Sequence, residues 1–140
     1  GVQTCALPIY AVCIYMIECP ERFDIIVTGN MFGDIITDLA AVTQGGMGIA
    51  PSGNINPNGT SMFEPIGGTA PSFTGQNAIN PCACILAAAM MLDHLGETEA
   101  SNNIVQAVEK TVLKMDSMLA AKMGMGTTDV GNLVCSYLKN

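Results

Sequence analysis

Apolar and polar positions along the chain follow a helical period in some segments and form short apolar runs in others. Helical periodicity predicts helices, and short apolar runs bounded by turn residues predict strands. Helices are predicted over 10–18 (ending before Pro20), 31–44, 81–94 (stopping at Gly96), 99–121 and 129–138, and strands over 23–28, near 48–51 and over 61–66. This order of strands and helices favours an α/β fold in which helices cover a parallel or mixed sheet.

Composition limits the classes of protein to which the chain can belong. With 140 residues, of which 49% are hydrophobic and 12% charged, it suits a domain with a core rather than a disordered acidic tail. A net charge of -7 leaves no basic stripe, so neither nucleic acid nor an anionic membrane surface is an expected partner. The longest apolar stretch, 82–92, is about half of the length that spans a bilayer. No transmembrane helix is therefore expected.

The cysteines do not have the spacing of a disulfide framework or of a zinc site. Cys82 and Cys84 are two residues apart in a helical pattern, and no CxxC motif occurs. Cys13, Cys19 and Cys135 are surrounded by apolar residues, where a free thiol behaves as a small hydrophobic side chain. Reduced core cysteines and a cytoplasmic location are therefore expected.

Two other residue types are predicted to have structural roles. His94 has no metal-ligating partner at a suitable spacing and is interpreted as a surface or packed residue. The methionines of the C-terminal part are expected in the core or at a subunit interface; they include Met90, Met91, Met115, Met118, Met123 and Met125.

The first nine residues, GVQTCALPI, differ in origin from the rest under our interpretation. They match the translation of a short-read sequencing adapter and lack the basic start and long apolar run of a signal peptide. We therefore expect residues 1–9 to be a non-native segment. Tyr10 would then be encoded by a hybrid codon whose last two bases are shared with Asp codons.

Two segments carry candidate chemistry. Asp34 and Asp38 are four residues apart on a predicted helix, so both carboxylates lie on one face and could bind Mg²⁺ or Mn²⁺. Acidic residues in a first helical turn also suit the helix dipole without binding metal.

Gly67 and Gly68 follow a predicted strand and could let a phosphate or ribose approach the backbone, or could form a plain turn. No GxGxxG fingerprint supports a Rossmann domain.

Taken together, four ordered segments resemble a known family. They are FDIIVTGNMFGDIITDLAA, GGMGIAPSGNI, FEPIGGTAPSFTGQNAINP and AAAMMLDHLG. They are similar to the C-terminal half of the β-decarboxylating dehydrogenases, the isocitrate and isopropylmalate dehydrogenase family, over about residues 10–138. NMFGD, at 30–34, is most similar to the isopropylmalate branch.

The resemblance implies a partial α/β fold, in which residues 10–140 are the C-terminal part of a larger two-domain structure. It also implies metal-dependent oxidation of a 2-hydroxy dicarboxylic acid by a nicotinamide cofactor, followed by decarboxylation. The substrate suggested is 3-isopropylmalate, of leucine biosynthesis, with isocitrate, homoisocitrate or tartrate as alternatives. A cytoplasmic homodimer is expected, because in this family both subunits contribute to the active site.

The resemblance also assigns metal ligands. Asp34 and Asp38 match the two metal-binding aspartates of one subunit. A third aspartate, contributed by the partner subunit in this family, aligns with Tyr10, which has no carboxylate. We therefore predict that the native gene encodes Asp at this position.

Cofactor-binding residues follow from the same comparison, with Glu64 matching an acidic residue near the nicotinamide and 67–79 matching the cofactor loop. The assigned residues are Glu64, Gly67, Gly68, Thr69, Ala70, Pro71, Ser72, Gly75 and, for the adenine, Asn80. The chain departs from the family at Gly67, usually His, and at the pair Ser72-Phe73, which is neither the Asp of NAD enzymes nor the Lys-Tyr of NADP enzymes. NAD is the expected cofactor, with NADP as the alternative.

No residue of this chain matches the family's catalytic Tyr and Lys, which lie upstream of Tyr10 in the alignment. The substrate-binding arginines also lie there. An alternative hypothesis is therefore that this chain alone is an inactive fragment that binds a dinucleotide weakly.

Overall fold

The computed structural model describes residues 5–138, so the part of the predicted non-native segment at 1–4 lies outside the described residues. The helices are α1 (Ile9–Glu18), α2 (Asn30–Thr43), α3 (Cys82–His94), α4 (Thr98–Val112) and α5 (Thr127–Leu138), and the strands are β1 (Pro51–Asn54) and β2 (Met62–Pro65). Single 3-10 turns form at Pro20–Arg22 and Pro71–Phe73. The chain divides into two compact units, the first ending at Thr43 and the second beginning at Gln44.

The first unit is a pair of helices held by a small apolar cluster. Val12 and Met16 of α1 and Ile36 of α2 form its buried centre. Helix α1 ends as predicted just before Pro20, which cannot continue the hydrogen-bond ladder. Helix α2 begins and ends within one residue of its predicted bounds.

The predicted buried strand over 23–28 is wrong for the described chain. This segment forms no strand, and the side chains of Ile25 and Val27 are 84% and 92% exposed. Phe23 and Ile26 still pack against the cluster of α1 and α2. A strand is stable only when a neighbouring strand takes its backbone hydrogen bonds, and residues 5–43 contain no other strand.

The second unit is a layer of three helices with a hairpin packed on α3. Its buried centre comprises Cys82, Ala107, Val108, Met123, Val130 and Val134. Strands β1 and β2 pair antiparallel, with Ser52 opposite Glu64 and Gly53 opposite Phe63. The parallel or mixed sheet predicted from the sequence is not formed among residues 5–138, whose sheet has these two antiparallel strands.

The short strand predicted near 48–51 lies instead at β1, slightly later in the chain. Gly48 precedes it, and its carbonyl oxygen accepts a hydrogen bond from the N–H of Ala83, in the first turn of α3. A Cβ on Gly48 would lie 2.6 Å from the carbonyl oxygen of Met118 and 2.9 Å from Nδ2 of Asn80. The close approach of three segments therefore requires glycine at position 48.

Helices α3 and α4 are joined by a tight turn. The N–H of Gly96 donates to the Asp93 carbonyl and the N–H of Glu97 to the Leu92 carbonyl, the two hydrogen bonds of a Schellman motif. This confirms the predicted helix end at Gly96. Buried alanines on α3, among them Ala83, Ala87 and Ala89, leave room for neighbouring backbone.

The helix predicted over 99–121 is correct only as far as Val112. Beyond it the chain forms a loop, in which the N–H of Asp116 donates to the Met123 carbonyl and the N–H of Leu119 to Oγ of Ser117. Local side-chain bonds of this kind compete with helix formation. Helix α5 then begins two residues earlier than predicted, at Thr127.

The positions of the methionines and of His94 bear on their predicted structural roles. Met123 is buried, and Met115 and Met125 pack against the core, as expected. His94 is exposed, with its ring 5.5 Å from the ring of Phe63 and its Nε2 3.3 Å from Oγ of Ser61, which confirms a packed surface residue. No helix among the described residues is long and apolar enough to cross a membrane.

The six cysteines are all free thiols, but they are not all in the core. Cys82 is buried, and burial raises its pKa to about 11. Cys13 and Cys19 are half-buried, whereas Cys135 is exposed, so the core position expected for Cys135 is wrong. Cys135 directly follows the buried Val134 on α5. Adjacent residues of a helix point in different directions, so the side chain of Cys135 lies off the buried face.

Substitution of two glycines should have opposite effects on stability. Gly48→Ala would force Asn80 or the backbone at Met118 to move, and we expect a loss of about 2 kcal/mol in the free energy of unfolding. Gly131→Ala, on α5, meets no atom within 4 Å and should gain up to about 1 kcal/mol from helix propensity. Urea unfolding followed by circular dichroism measures both, and equal stability of the two variants would contradict the packing described.

Candidate functional site

The loop between β2 and α3 lines an open cavity in the second unit. The cavity has a volume of about 210 Å³. Pockets that enclose a drug-sized ligand have roughly 300–1,000 Å³. This cavity is therefore suited to one ring system of a larger ligand. Its lining residues are Thr69, Ala70, Phe73, Thr74, Gly75, Asn77, Ala78, Ile79 and Thr127.

The backbone of this loop turns sharply at several positions. Ala70 and Asn77, with φ of 44° and 53°, adopt the left-handed conformation that non-glycine residues rarely take. Between them, Pro71–Phe73 forms a 3-10 turn, and the side-chain Nε2 of Gln76 donates to the carbonyl of Ser72. The loop is thus folded on itself around the cavity.

Three of the predicted cofactor residues line this cavity and six do not. Thr69, Ala70 and Gly75 are lining residues. Glu64 is exposed on β2, and Gly67, Gly68, Pro71 and Ser72 are exposed on the loop. Asn80, the sixth, is half-buried at the end of the loop. The structure therefore brings together the middle of the predicted segment and leaves its start on the surface.

The side chain of Asn80 is engaged by the protein itself. Its Oδ1 accepts from the N–H of Cys82 at 3.0 Å, which caps α3, and its Nδ2 donates to the carbonyl of Met118 at 3.2 Å. Helix α3 has Pro81 at its N-cap, which offers no side-chain cap. Any contact of Asn80 with an adenine would therefore come from its peptide group, from the second hydrogen of Nδ2 or from a remaining lone pair of Oδ1.

Sequence reasoning missed Thr127, which reaches the cavity from the start of α5. Its N–H donates to the carbonyl of Asn77 at 2.9 Å and its Oγ1 to the carbonyl of Ile79 at 2.6 Å. The loop and Thr127 are about fifty residues apart in the chain. A Thr at a predicted helix start indicates a helix terminus, but nothing local indicates which loop it meets.

The cavity carries no charged side chain among its lining residues. A ligand group with a full negative charge, such as a 2′-phosphate, is usually held by Arg or Lys. Lys122 follows Ala121, whose N–H donates to the carbonyl of Ala78 at 2.8 Å. Lys122 thus places a positive charge on a segment that is hydrogen-bonded to the loop, but Lys122 does not line the cavity.

The two predicted metal ligands lie on α2 in the first unit. Asp34 and Asp38 are both exposed, and their positions one helical turn apart place them on the same face. The side-chain amide of Asn30 donates to Oδ2 of Asp34 at 3.1 Å. Two carboxylates supply hard oxygen ligands but only part of the octahedral set that Mg²⁺ requires, so the pair fits such an ion as a partial site.

The described residues do not complete this site. No group of three or more His, Cys, Asp or Glu side chains placed to hold a metal occurs among residues 5–138. Tyr10, the position at which the family resemblance predicts a third aspartate, is 68% exposed in the first turn of α1. Further ligands would have to come from water, from a substrate or from another subunit.

The sequence profile of the isocitrate/isopropylmalate dehydrogenase family matches residues 3–134. The chain belongs to this family. A 3-isopropylmalate dehydrogenase of Nocardia farcinica is 48% identical over 129 residues, which are 90% of this chain and 36% of that protein. One of Rhodococcus jostii is 46% identical over 140 residues, covering 98% of this chain and 40% of that protein. The chain thus spans between a third and two-fifths of the length of these curated relatives.

Solved structures of the isocitrate/isopropylmalate dehydrogenase fold superpose on the chain. An isocitrate dehydrogenase from Methylococcus capsulatus matches with a TM-score of 0.84 and 34% identity, over 94% of this chain and 40% of that one. The TT0538 protein from Thermus thermophilus matches with the same TM-score and identity, over 94% of this chain and 27% of that one. The fold is therefore a part of a larger α/β structure, as the sequence predicted.

Removing the side chain of Asn80 should destabilise the second unit. Asn80→Ala loses the cap of α3 and the bond to Met118, and we expect the free energy of unfolding to fall by about 1–2 kcal/mol. Asn80→Asp keeps the acceptor for Cys82 but loses the donor, so an intermediate value is expected. Urea unfolding of both variants measures this, and a neutral Asn80→Ala would show that the two bonds contribute nothing.

Proposed function

We propose that this chain is the C-terminal portion of a metal-dependent NAD(P) oxidoreductase that oxidatively decarboxylates a 2-hydroxy dicarboxylic acid. The observation that carries the proposal is the family match over residues 3–134. The substrate proposed is 3-isopropylmalate, an intermediate of leucine biosynthesis, because the relatives with 45–48% identity are named 3-isopropylmalate dehydrogenases. Isocitrate is the second candidate, favoured by the 34% identical structure of an isocitrate dehydrogenase.

In this proposal Asp34 and Asp38 bind Mg²⁺ or Mn²⁺. Such an ion supplies Lewis-acid polarisation of the substrate's oxygen atoms. The exposed face of α2 leaves both carboxylates free to take a ligand shared with substrate, and the hydrogen bond from Asn30 orients one oxygen of Asp34. The third carboxylate belongs to the partner subunit of a homodimer, at position 10, where we propose that Asp is the native residue.

The loop over 67–80 binds the adenosine part of the cofactor in this proposal. Phe73 and Ile79 supply apolar surface to the cavity, and Thr69, Thr74 and Thr127 supply hydroxyl groups. The remainder of a dinucleotide, too large for about 210 Å³, would extend over the exposed glycines toward Glu64. The uncharged lining favours NAD over NADP.

The 140-residue chain alone is proposed to be inactive, since no residue of it matches the family's catalytic Tyr and Lys. Residues 1–9 are proposed to be non-native, and residues 10–140 to be the family's C-terminal portion. The complete enzyme is proposed to work in the cytoplasm.

Dinucleotide binding by the chain is the first test. We expect NAD to bind more tightly than NADP, and Phe73→Ala to weaken NAD binding at least about tenfold through lost apolar contact. Phe32→Ala, on α2, is the matched control and should leave the affinity unchanged. Isothermal titration calorimetry with each dinucleotide measures these values.

Two outcomes would count against this assignment of the dinucleotide site, and a third would count against the proposed inactivity of the chain. Equal binding by Phe73→Ala and the unsubstituted chain would place the dinucleotide elsewhere. Tighter binding of NADP, lost in Lys122→Ala, would assign the cofactor preference to that cation. Reduction of NAD by the chain with 3-isopropylmalate and Mg²⁺ would contradict its inactivity.

Metal binding is tested separately with Mn²⁺ as the probe, followed by electron paramagnetic resonance. Asp34→Asn and Asp38→Asn should each weaken binding by about tenfold or more, because each removes a charged oxygen ligand. Asp24→Asn, an exposed carboxylate in the same unit, is the matched control. Tyr10→Asp should tighten binding in a dimer. Identical Mn²⁺ binding by all these variants would disprove the assigned ligands.

A further inference from the structure

The start of α5 is capped by a residue that is distant in the chain. Gly126 is its N-cap, since its carbonyl accepts the first helical bond from the N–H of Val130 at 3.0 Å. Glycine has no side chain with which to accept from the next amides. Oδ1 of Asn77 takes that place and accepts from both the N–H and Oγ1 of Thr128, each at 2.9 Å.

The absence of a side chain at Gly126 is what permits this contact. A Cβ at position 126 would overlap Nδ2 of Asn77. The backbone carbonyl of Asn77 also accepts from the N–H of Thr127 at 2.9 Å. The backbone carbonyl and the side-chain Oδ1 of Asn77 therefore both accept hydrogen bonds from the first turn of α5.

Asn77 also shapes the loop. It lies in the cavity wall, and its φ of 53° is left-handed, a conformation that Asn tolerates better than most residues. Its bonds to α5 thus hold the loop at a strained turn, between the lining residues Gly75 and Ile79. A further N-terminal amide of α5, that of Gly126, donates to Oδ2 of Asp129 at 3.1 Å.

We propose that Asn77 is a positioning residue that couples the order of the cofactor loop to the start of α5. The amides of Gly126, Thr127 and Thr128 are occupied by protein acceptors, so these three amides hold the start of α5 and the loop and are not available to a phosphate. That the positioned loop serves a dinucleotide rests on the proposed function.

The coupling can be tested without ligand by amide hydrogen exchange of the full chain. Asn77→Gly keeps the left-handed backbone accessible but removes the cap. We expect exchange about fivefold faster at Thr128 and also at Phe73, Thr74 and Gln76, whose amides bond inside the loop. Asn77→Asp retains an acceptor and should restore slow exchange. Asn132→Gly, the same change at an exposed site farther along α5, should speed exchange near position 132 and leave Thr128 and the loop amides unchanged.

Faster exchange in α5 alone, with the loop amides unchanged in Asn77→Gly, would overturn the proposal. If Asn77→Gly does not fold, Thr128→Val is used instead, because it removes only the hydroxyl bond to Asn77. Exchange at the loop amides and in α5 is then compared in the same way.

A second measurement addresses the ligand. NAD affinity should fall about fivefold in Asn77→Gly, recover in Asn77→Asp and stay unchanged in Asn132→Gly. Coupled exchange with unchanged affinity in Asn77→Gly would overturn the positioning role. If the unsubstituted chain binds no NAD, the proposed function fails, and the exchange data still decide whether the loop and α5 are coupled.

Discussion

Helices α3 and α5 both begin at residues that cannot cap them, Pro81 and Gly126, and the loop before α3 supplies what they lack. Asn80 accepts from the amide of Cys82, and Asn77 accepts from the amide of Thr128. An uncapped helix start leaves buried or half-buried N–H groups without partners, which is costly. The hydrogen bonds that cap the two helices therefore fix the conformation of the loop. The cavity results from that conformation.

The same pair of asparagines limits what the site can contact. Their side-chain oxygens are bonded to the protein, so the proposed ligand contacts are the threonine hydroxyls, apolar side chains and peptide groups around the cavity. Such a site is neutral, in contrast to the two exposed carboxylates of α2 in the first unit. The two candidate sites thus differ in chemistry: one is suited to a ring system and the other to a cation.

The local pattern of apolar and polar residues predicts the helices but not all of the segments that they contact. The apolar period gave α2 and α3 nearly to the residue, and Gly96 marked a true helix end. The segment over 23–28 has the composition of a strand, yet a strand depends on a neighbour that residues 5–43 do not provide. The loop after α4 is held in part by a bond to a distant segment, from the N–H of Ala121 to the carbonyl of Ala78, and Asn77 contacts Thr128, 51 residues away. No local pattern encodes these tertiary hydrogen bonds. Spacing predicted that Asp34 and Asp38 share one face of α2, and the family resemblance assigned them as metal ligands, whereas Thr127 was missed.

The small size of the first unit has a thermodynamic consequence. Its buried hydrophobic side chains among residues 5–43 are Val12, Met16, Ile36 and Ala41, a core too small to confer much stability by itself. Asp34 and Asp38 come together only when α2 is helical. If Asp34 and Asp38 bind a divalent ion as proposed, the ion shifts the helix–coil equilibrium of this unit by mass action, and the free ion concentration then sets how much of the unit is folded.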